Sequence, residues 1–243
     1  MVSKIGFIIN PIAGMGGRVG LKGTDGVYKK AKELGAKKIS ETKANDTIQN
    51  FYKKYNSDKK IKWFTSSGSM GENVLKKNNV EKIEIVYKKS SKETTPKDTK
   101  EVCKQFLKKD VDLVLFCGGD GTTRDIYSII EDKIPILGIP SGVKMHSGVF
   151  GINTKASAKM LHEFIDGNLT VGEADIMDLD EKLYRKGEWK VKLYGVAKGI
   201  VEPTYVQVGK ASFRSVSDDY IKDELAEHIE DDMKENKDHL NLF

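Results

Sequence analysis

The sequence predicts an α/β fold, with a parallel-sheet nucleotide-binding domain over residues 1–168 and a smaller, incomplete, antiparallel β-rich second domain over 169–243. Three observations predict it. Short apolar runs alternate with amphipathic helical patterns from the first residues to Ile165, and that alternation implies βαβ units with right-handed crossovers. Several of the runs lead into loops rich in glycine or hydroxyls, at the sheet edge where open α/β folds bind ligands. After Asn168 the apolar period changes to two, the mark of antiparallel strands.

The elements follow in order. Val2 to Asn10 read as a strand that Asn10-Pro11 ends, because proline cannot continue a ladder. Six glycines then occur between Ala13 and Gly26. A helix follows, capped by Thr24 or Asp25, with Val27, Ala31 and Leu34 on one face and Gly35 closing it. Ile48, Phe51, Tyr52 and Tyr55 stand at helical spacing in a second helix. Ile61 to Phe64 form a strand that runs into the polar loop Thr65 to Glu72, and Ile83 to Tyr87 form the next. Lys88 to Lys100 read as a polar connection containing Pro96, before a helical stripe of Val102, Cys103, Phe106 and Leu107. Val111 to Phe116 read as a buried strand, followed by the turn Cys117 to Asp125 and a helix through Ile126, Ile129 and Ile130. Ile134 to Pro140 make a further strand, and Ser157, Met160, Leu161, Phe164 and Ile165 a helix that Gly167 terminates. Beyond Asn168, strands are expected at 173–179, 189–196 and 204–208, then a helix from Asp218 to Met233 and a fraying charged tail.

Composition excludes several classes. The chain has 243 residues, 38% hydrophobic, enough for a real core. Its net charge of +5 is dispersed, without basic blocks interleaved with aromatics, so nucleic acid is not the expected partner. It has no apolar run long enough to span a membrane and no signal peptide ahead of the first strand, so a cytoplasmic protein off the membrane is expected. A homo-oligomer is expected as well. Cys103 and Cys117 lack metal or disulfide spacing and read as core thiols. Of the four histidines only His146, in a glycine-bearing loop, invites a functional reading.

The chemistry concentrates in Cys117-Gly118-Gly119-Asp120-Gly121-Thr122-Thr123-Arg124-Asp125. Glycines where a strand turns into a helix present backbone N–H groups to phosphate, and the helix N-terminus favours negative charge. The acid among them repels phosphate unless a metal intervenes or a proton must be removed, so Asp120 points to phosphoryl transfer. The first glycine loop is not a dinucleotide fingerprint, since Gly14-x-Gly16 would require glycine where Val19 stands, and no P-loop occurs. Lys144, in a loop at the ligand edge, suits neutralisation of a phosphoryl group. Arg124 reads as a phosphate clamp or a surface charge, and Asp125 as a first-turn dipole partner.

Asn10-Pro11-x-Ala13-Gly14 together with Gly118-Gly119-Asp120-Gly121-Thr122 resembles the NAD kinase and diacylglycerol kinase superfamily. Pro140-Ser141-Gly142-Val143-Lys144-Met145-His146-Ser147 resembles the ATP-NAD kinase branch common in archaea, which includes the acetoin-catabolism protein X. The resemblance implies transfer of a phosphoryl group from ATP or polyphosphate to the 2′-hydroxyl of NAD, giving NADP. It implies Asp120 as general base or magnesium partner, with Gly118, Gly119, Gly121 and Thr122 against the nucleotide phosphates and Asn10 and Gly14 in the nucleotide loop. Ser67 and Ser69, at the same sheet edge, are expected to meet phosphate or ribose on topology alone. Two departures matter. No Asn-Glu or Asn-Asp pair lies between residues 170 and 215, which leaves the acceptor contact unassigned, and the second domain is expected to be incomplete. A lipid or sphingoid-base kinase fits less well, because S-G-V-K-M replaces the G-T-x-N-D of lipid kinases. A non-catalytic nucleotide-binding regulator is the alternative from another class.

Overall fold

The computed structural model describes residues 2–20, 28–55, 61–89, 94–142, 145–180, 183 and 190–201. The predicted strand at 204–208 and helix at 218–233 lie outside them, as do Thr24, Asp25, Val27, Val143 and Lys144. The chain forms two compact units, Met1–Ala211 and Ser212–Phe243, and the described residues all belong to the first.

Strands β1 (Ser3–Ile9), β2 (Ile61–Ser66), β3 (Ile83–Tyr87), β4 (Leu113–Gly118), β5 (Ile136–Pro140), β6 (Thr170–Leu179) and β7 (Val191–Val201) make one sheet in the order β3-β2-β1-β4-β5-β7-β6. The first five are parallel. β7 joins β5 in parallel at Ile136 and Gly199, and β6 runs antiparallel to β7 along its whole length. The hairpin after Asn168 thus continues the same sheet. From β1 the chain moves outward to β2 and β3, then returns to β4 on the other side of β1. The strand order reverses between β1 and β4, so the connections after them lead to opposite faces of the sheet, α3 into one core and α6 into the other, which is where open α/β sheets bind ligands.

Helices α1 (Met15–Arg18), α2 (Tyr28–Glu33), α3 (Ser40–Lys54), α4 (Glu72–Lys77), α5 (Pro96–Lys109), α6 (Asp120–Ile130) and α7 (Thr154–Ile165) connect the strands. Alternate strand residues feed opposite cores. Ile5, Phe7, Ile9, Leu113 and Leu115 pack with Ile48 and Phe51 of α3 and with Met160 and Leu161 of α7. Ile8, Val114, Phe116 and Ile136 pack with Val102, Cys103 and Phe106 of α5 and with Ile126 and Ile130 of α6. Both cysteines are fully buried core thiols, and burial pushes their pKa values far above the usual thiol range.

Three boundaries differ from the sequence reading. Helix α5 begins at Pro96, inside the stretch expected to be a polar connection. Proline at the first helical position loses no hydrogen bond, and Thr95 with Asp98 forms a capping box ahead of it. The sequence pattern sets Leu34 on one helix face with Ala31, but α2 ends at Glu33 and Leu34 is exposed while Ala31 is buried. Gly35 closes the helix as expected, with a left-handed φ of 84°. Last, one turn of helix, α1, interrupts the glycine-rich loop.

Candidate functional site

The loops after β1, β4 and β5 meet at the switch point. The Asn10 N–H donates to the Cys117 carbonyl at 2.9 Å, and its Nδ2 donates to the Thr122 hydroxyl at 2.9 Å. Its Oδ1 accepts from the Ile12 N–H at 3.2 Å, turning the chain after Pro11. One asparagine side chain thereby ties the first glycine loop to the second. Gly14 lies against the third, with φ of 77°, and a Cβ there would stand 2.0 Å from the Ser141 carbonyl oxygen. Any larger residue separates the loops. Gly118 is required by proximity instead, because its Cβ would fall 2.6 Å from the Thr122 Cβ.

Gly119 is extended and is the N-cap of α6, so Asp120 occupies the first helical position. No side chain caps this helix, which leaves the peptide N–H groups of its first turn, Asp120 to Thr122, oriented for an anion. The Thr123 hydroxyl is taken up locally, donating to the Gly119 carbonyl at 3.1 Å. Gly118, Gly119 and Gly121 can thus offer a ligand only their backbone, and the Thr122 hydroxyl is bonded to Asn10.

Asp120 is only 7% exposed. Its Oδ2 accepts the His146 N–H at 2.8 Å, and its Oδ1 accepts the Ser147 N–H at 2.9 Å. The loop after β5 is thus held to the start of α6 by this one carboxylate. Burial raises the Asp120 pKa, the donors from Ser147 and His146 pull it back, and the charge of Asp178 adds to the rise, leaving it at about 6. A carboxylate has about four lone-pair sites, so two peptide donors still leave room for a substrate proton.

The sequence reading did not find Asp178. Arg124, one helical turn beyond Asp120, bonds the Asp178 Oδ2 at 3.0 Å and stacks 4.6 Å from the centre of the Tyr194 ring. Its place on α6 therefore clamps the β6–β7 hairpin. The Ser147 hydroxyl adds a second tie, donating to the Met177 carbonyl at 2.9 Å and accepting the Met177 N–H at 3.0 Å. It fits where the β6–β7 register shifts between Ile176 and Met177. That bulge breaks the strict alternation, and both residues are buried. Polar residues beside a break in alternation were the available signal. Asp125, read as a dipole partner, meets Lys100 at 3.2 Å.

Ser67 precedes the short 3₁₀ turn Gly68–Met70, and its N–H donates to the Tyr87 carbonyl at 3.0 Å. Ser69 lies in that turn and lines a cleft of about 60 Å³ with Pro11, Ile12, Lys38, Lys89 and Thr94. Both serines are at the expected sheet edge, beside the Asn10 loop. Lys144 falls outside the described residues. The Ser141 hydroxyl is buried with no hydrogen-bond partner among them, a cost that a bound polar group relieves. Among the described residues no three histidine, cysteine or carboxylate side chains cluster as metal ligands, and no helix is long and apolar enough to cross a membrane.

The family model that matches the chain is the ATP-NAD kinase N-terminal domain, over residues 5–169. No curated protein matches the chain. Neither does any solved structure.

Proposed function

The chain belongs to the NAD kinase family, and from that premise we propose that it transfers a phosphoryl group from ATP or inorganic polyphosphate to the 2′-hydroxyl on the adenosine side of NAD, producing NADP. The observation that carries this reading is Asp120: a buried carboxylate at the head of an uncapped helix, at the switch point, with a pKa of about 6. A general base works best when its pKa lies near the operating pH. In this reading Asp120 takes the proton of the ribose hydroxyl, the oxygen attacks the terminal phosphorus of the donor, and the bridging P–O bond breaks to release the shortened donor. The peptide N–H groups at the start of α6 stabilise the charge on the transferred group. Lys144 is assigned the same task by its position in the sequence. Asn10 holds the nucleotide loop against Thr122.

Magnesium is expected with the donor, where it neutralises phosphate charge. Asp120 would hold the ion together with the donor, and among the described residues no group of three or more ligating side chains offers it a cage.

An assay of NADP formation on the full chain, with ATP and polyphosphate compared, tests the reading. Turnover is expected for the native chain, with a drop of about 10²–10⁴ in Asp120→Asn. Near-native turnover by that variant removes Asp120 from the role of base. Binding of NAD and ATP without turnover points to a regulator instead.

A further inference from the structure

We propose that Ser147 is a positioning residue for the phosphoryl transfer: its hydroxyl, seated at the bulge of β6, holds in place the loop whose peptides fix the direction of the Asp120 carboxylate. Ser147 has this role only if Asp120 is the base, so the assignment rests on the kinase reading above. Asp120 is held from one loop. Its Oδ2 accepts the His146 N–H at 2.8 Å and its Oδ1 the Ser147 N–H at 2.9 Å. Both donors lie between β5 and α7, so a shift of that loop turns the plane of the carboxylate. The loop is held in turn by β6. The Ser147 hydroxyl donates to the Met177 carbonyl at 2.9 Å and accepts the Met177 N–H at 3.0 Å, and the Gly148 N–H donates to the Asp175 carbonyl at 2.9 Å. Ser147 is therefore bonded on both sides, to Asp120 through its peptide and to β6 through its side chain.

These bonds close a ring. Helix α6 carries Asp120 at its first position and Arg124 one turn further on, and Arg124 bonds Asp178, the neighbour of Met177, at 3.0 Å. The first turn of α6 is thus joined to β6 twice, directly through Arg124 and through Ser147 at the carboxylate. A ring restrains rotation that a single bond permits. Ser147 is the member most sensitive to loss, because one hydroxyl serves as donor and acceptor for both polar groups of the Met177 peptide. The residue is fully buried and Met177 nearly so, so without the hydroxyl those groups lose their partner away from solvent and the loop must move to relieve them. A group that acts on a substrate has to be held to within about 0.5 Å and 10–20° of its productive geometry. A displacement of about 1 Å can cost about 10² in rate. The bonds of Asn10 to Cys117 and Thr122 run through other residues, so loss of the Ser147 hydroxyl is expected in the rate of transfer and not in nucleotide affinity.

A kinetic double-mutant cycle on the full chain tests the proposal, with NADP formation measured for the native chain, Ser147→Ala, Asp120→Asn and the double variant. Rates are taken per folded chain, the folded fraction being read by circular dichroism at the assay temperature. Ser147→Ala is expected to lower kcat about tenfold or more while the KM for NAD and for the donor stays within about twofold of native. In the Asp120→Asn background the same substitution is expected to change kcat by less than about twofold, since no base is left to position. A residue needed only for folding would cost the same factor in both backgrounds, and that result overturns the proposal. So does a native kcat in Ser147→Ala, or a loss confined to KM. Ser147→Cys, which fills the space with a weaker donor and acceptor, replaces alanine in the cycle if the alanine variant does not fold, with the same outcomes deciding. The two readings fail differently. A native chain that forms no NADP overturns the kinase reading and Ser147's role with it, whereas NADP formation with equal losses in both backgrounds leaves the kinase standing without Ser147.

Discussion

Asp120 has a structural task and, in the proposed reaction, a chemical one on the same carboxylate, and its burial links them. Its pKa, raised from 3.8 to about 6, means that it takes up a proton as the pH falls through that value. A reaction that needs the carboxylate should lose rate below pH of about 6, whereas an ordinary carboxylate would hold its rate to about 4. A pH–rate profile on the native chain checks this, and a limb near 4 would count against Asp120 as base. The sign for stability is opposite. A raised folded-state pKa contributes stability that is present below the unfolded value and lost as the pH rises through about 6. Asn at 120 would set an amide N–H₂ against a peptide N–H from His146 or Ser147, so the loop loses one bond as well as the base. Gly14 is equally constrained, since alanine there meets the Ser141 carbonyl and an unfavourable φ. Gly14→Ala is expected to lower thermal stability and raise the KM for nucleotide together. A melt and a KM unchanged from native would show that the loops are not packed as described.

At the scale of elements, helix α6 and the β6–β7 hairpin are joined by Arg124 and Asp178, whose side chains are 28% and 17% exposed. A double-mutant cycle with Arg124→Gln and Asp178→Asn should show a coupling of about 0.5–3 kcal/mol in unfolding free energy. Additive losses would show that the pair is solvent-screened. Asp178→Asn also removes a charge that raises the Asp120 pKa, so the acid limb of the rate profile should move to lower pH. Helix α5 offers a simpler test. Thr95→Ala removes the capping box and is expected to destabilise the chain by about 0.5–2 kcal/mol in denaturant unfolding. Sequence periodicity located nearly every described helix and strand, because apolar residues at spacings of two or near 3.6 mark the buried face directly. It missed the start of α5 because Pro96 reads as a breaker until Thr95 and Asp98 are seen as a cap. It missed the β6 bulge because Ser147, which fills it, lies 30 residues away.

At the largest scale the described residues offer, one mostly parallel sheet with a helix layer on each face fixes both the cores and the candidate site. Phe106 illustrates the dependence: it is fully buried, and its ring lies 2.9 Å from where a Cβ would stand on Gly6. Phe106→Ala should cost about 3–5 kcal/mol, because the sheet cannot collapse into the space. Chemical denaturation of the variant against the native chain measures it, and a cost under about 1 kcal/mol would refute the packing described. The glycine turn, the Asn-Pro loop and the alternation of strands and helices were legible in the amino-acid sequence, because each is a local pattern whose physics acts within a few residues. They determined the α/β class, the loops at the ligand edge and Asp120 as the acid within them. The strand order, the bonds from Asp120 to the loop after β5 and the Arg124–Asp178 clamp were decided only by the tertiary structure. Each joins residues far apart in the chain, and contacts of that kind depend on which strands become neighbours, not on any local periodicity.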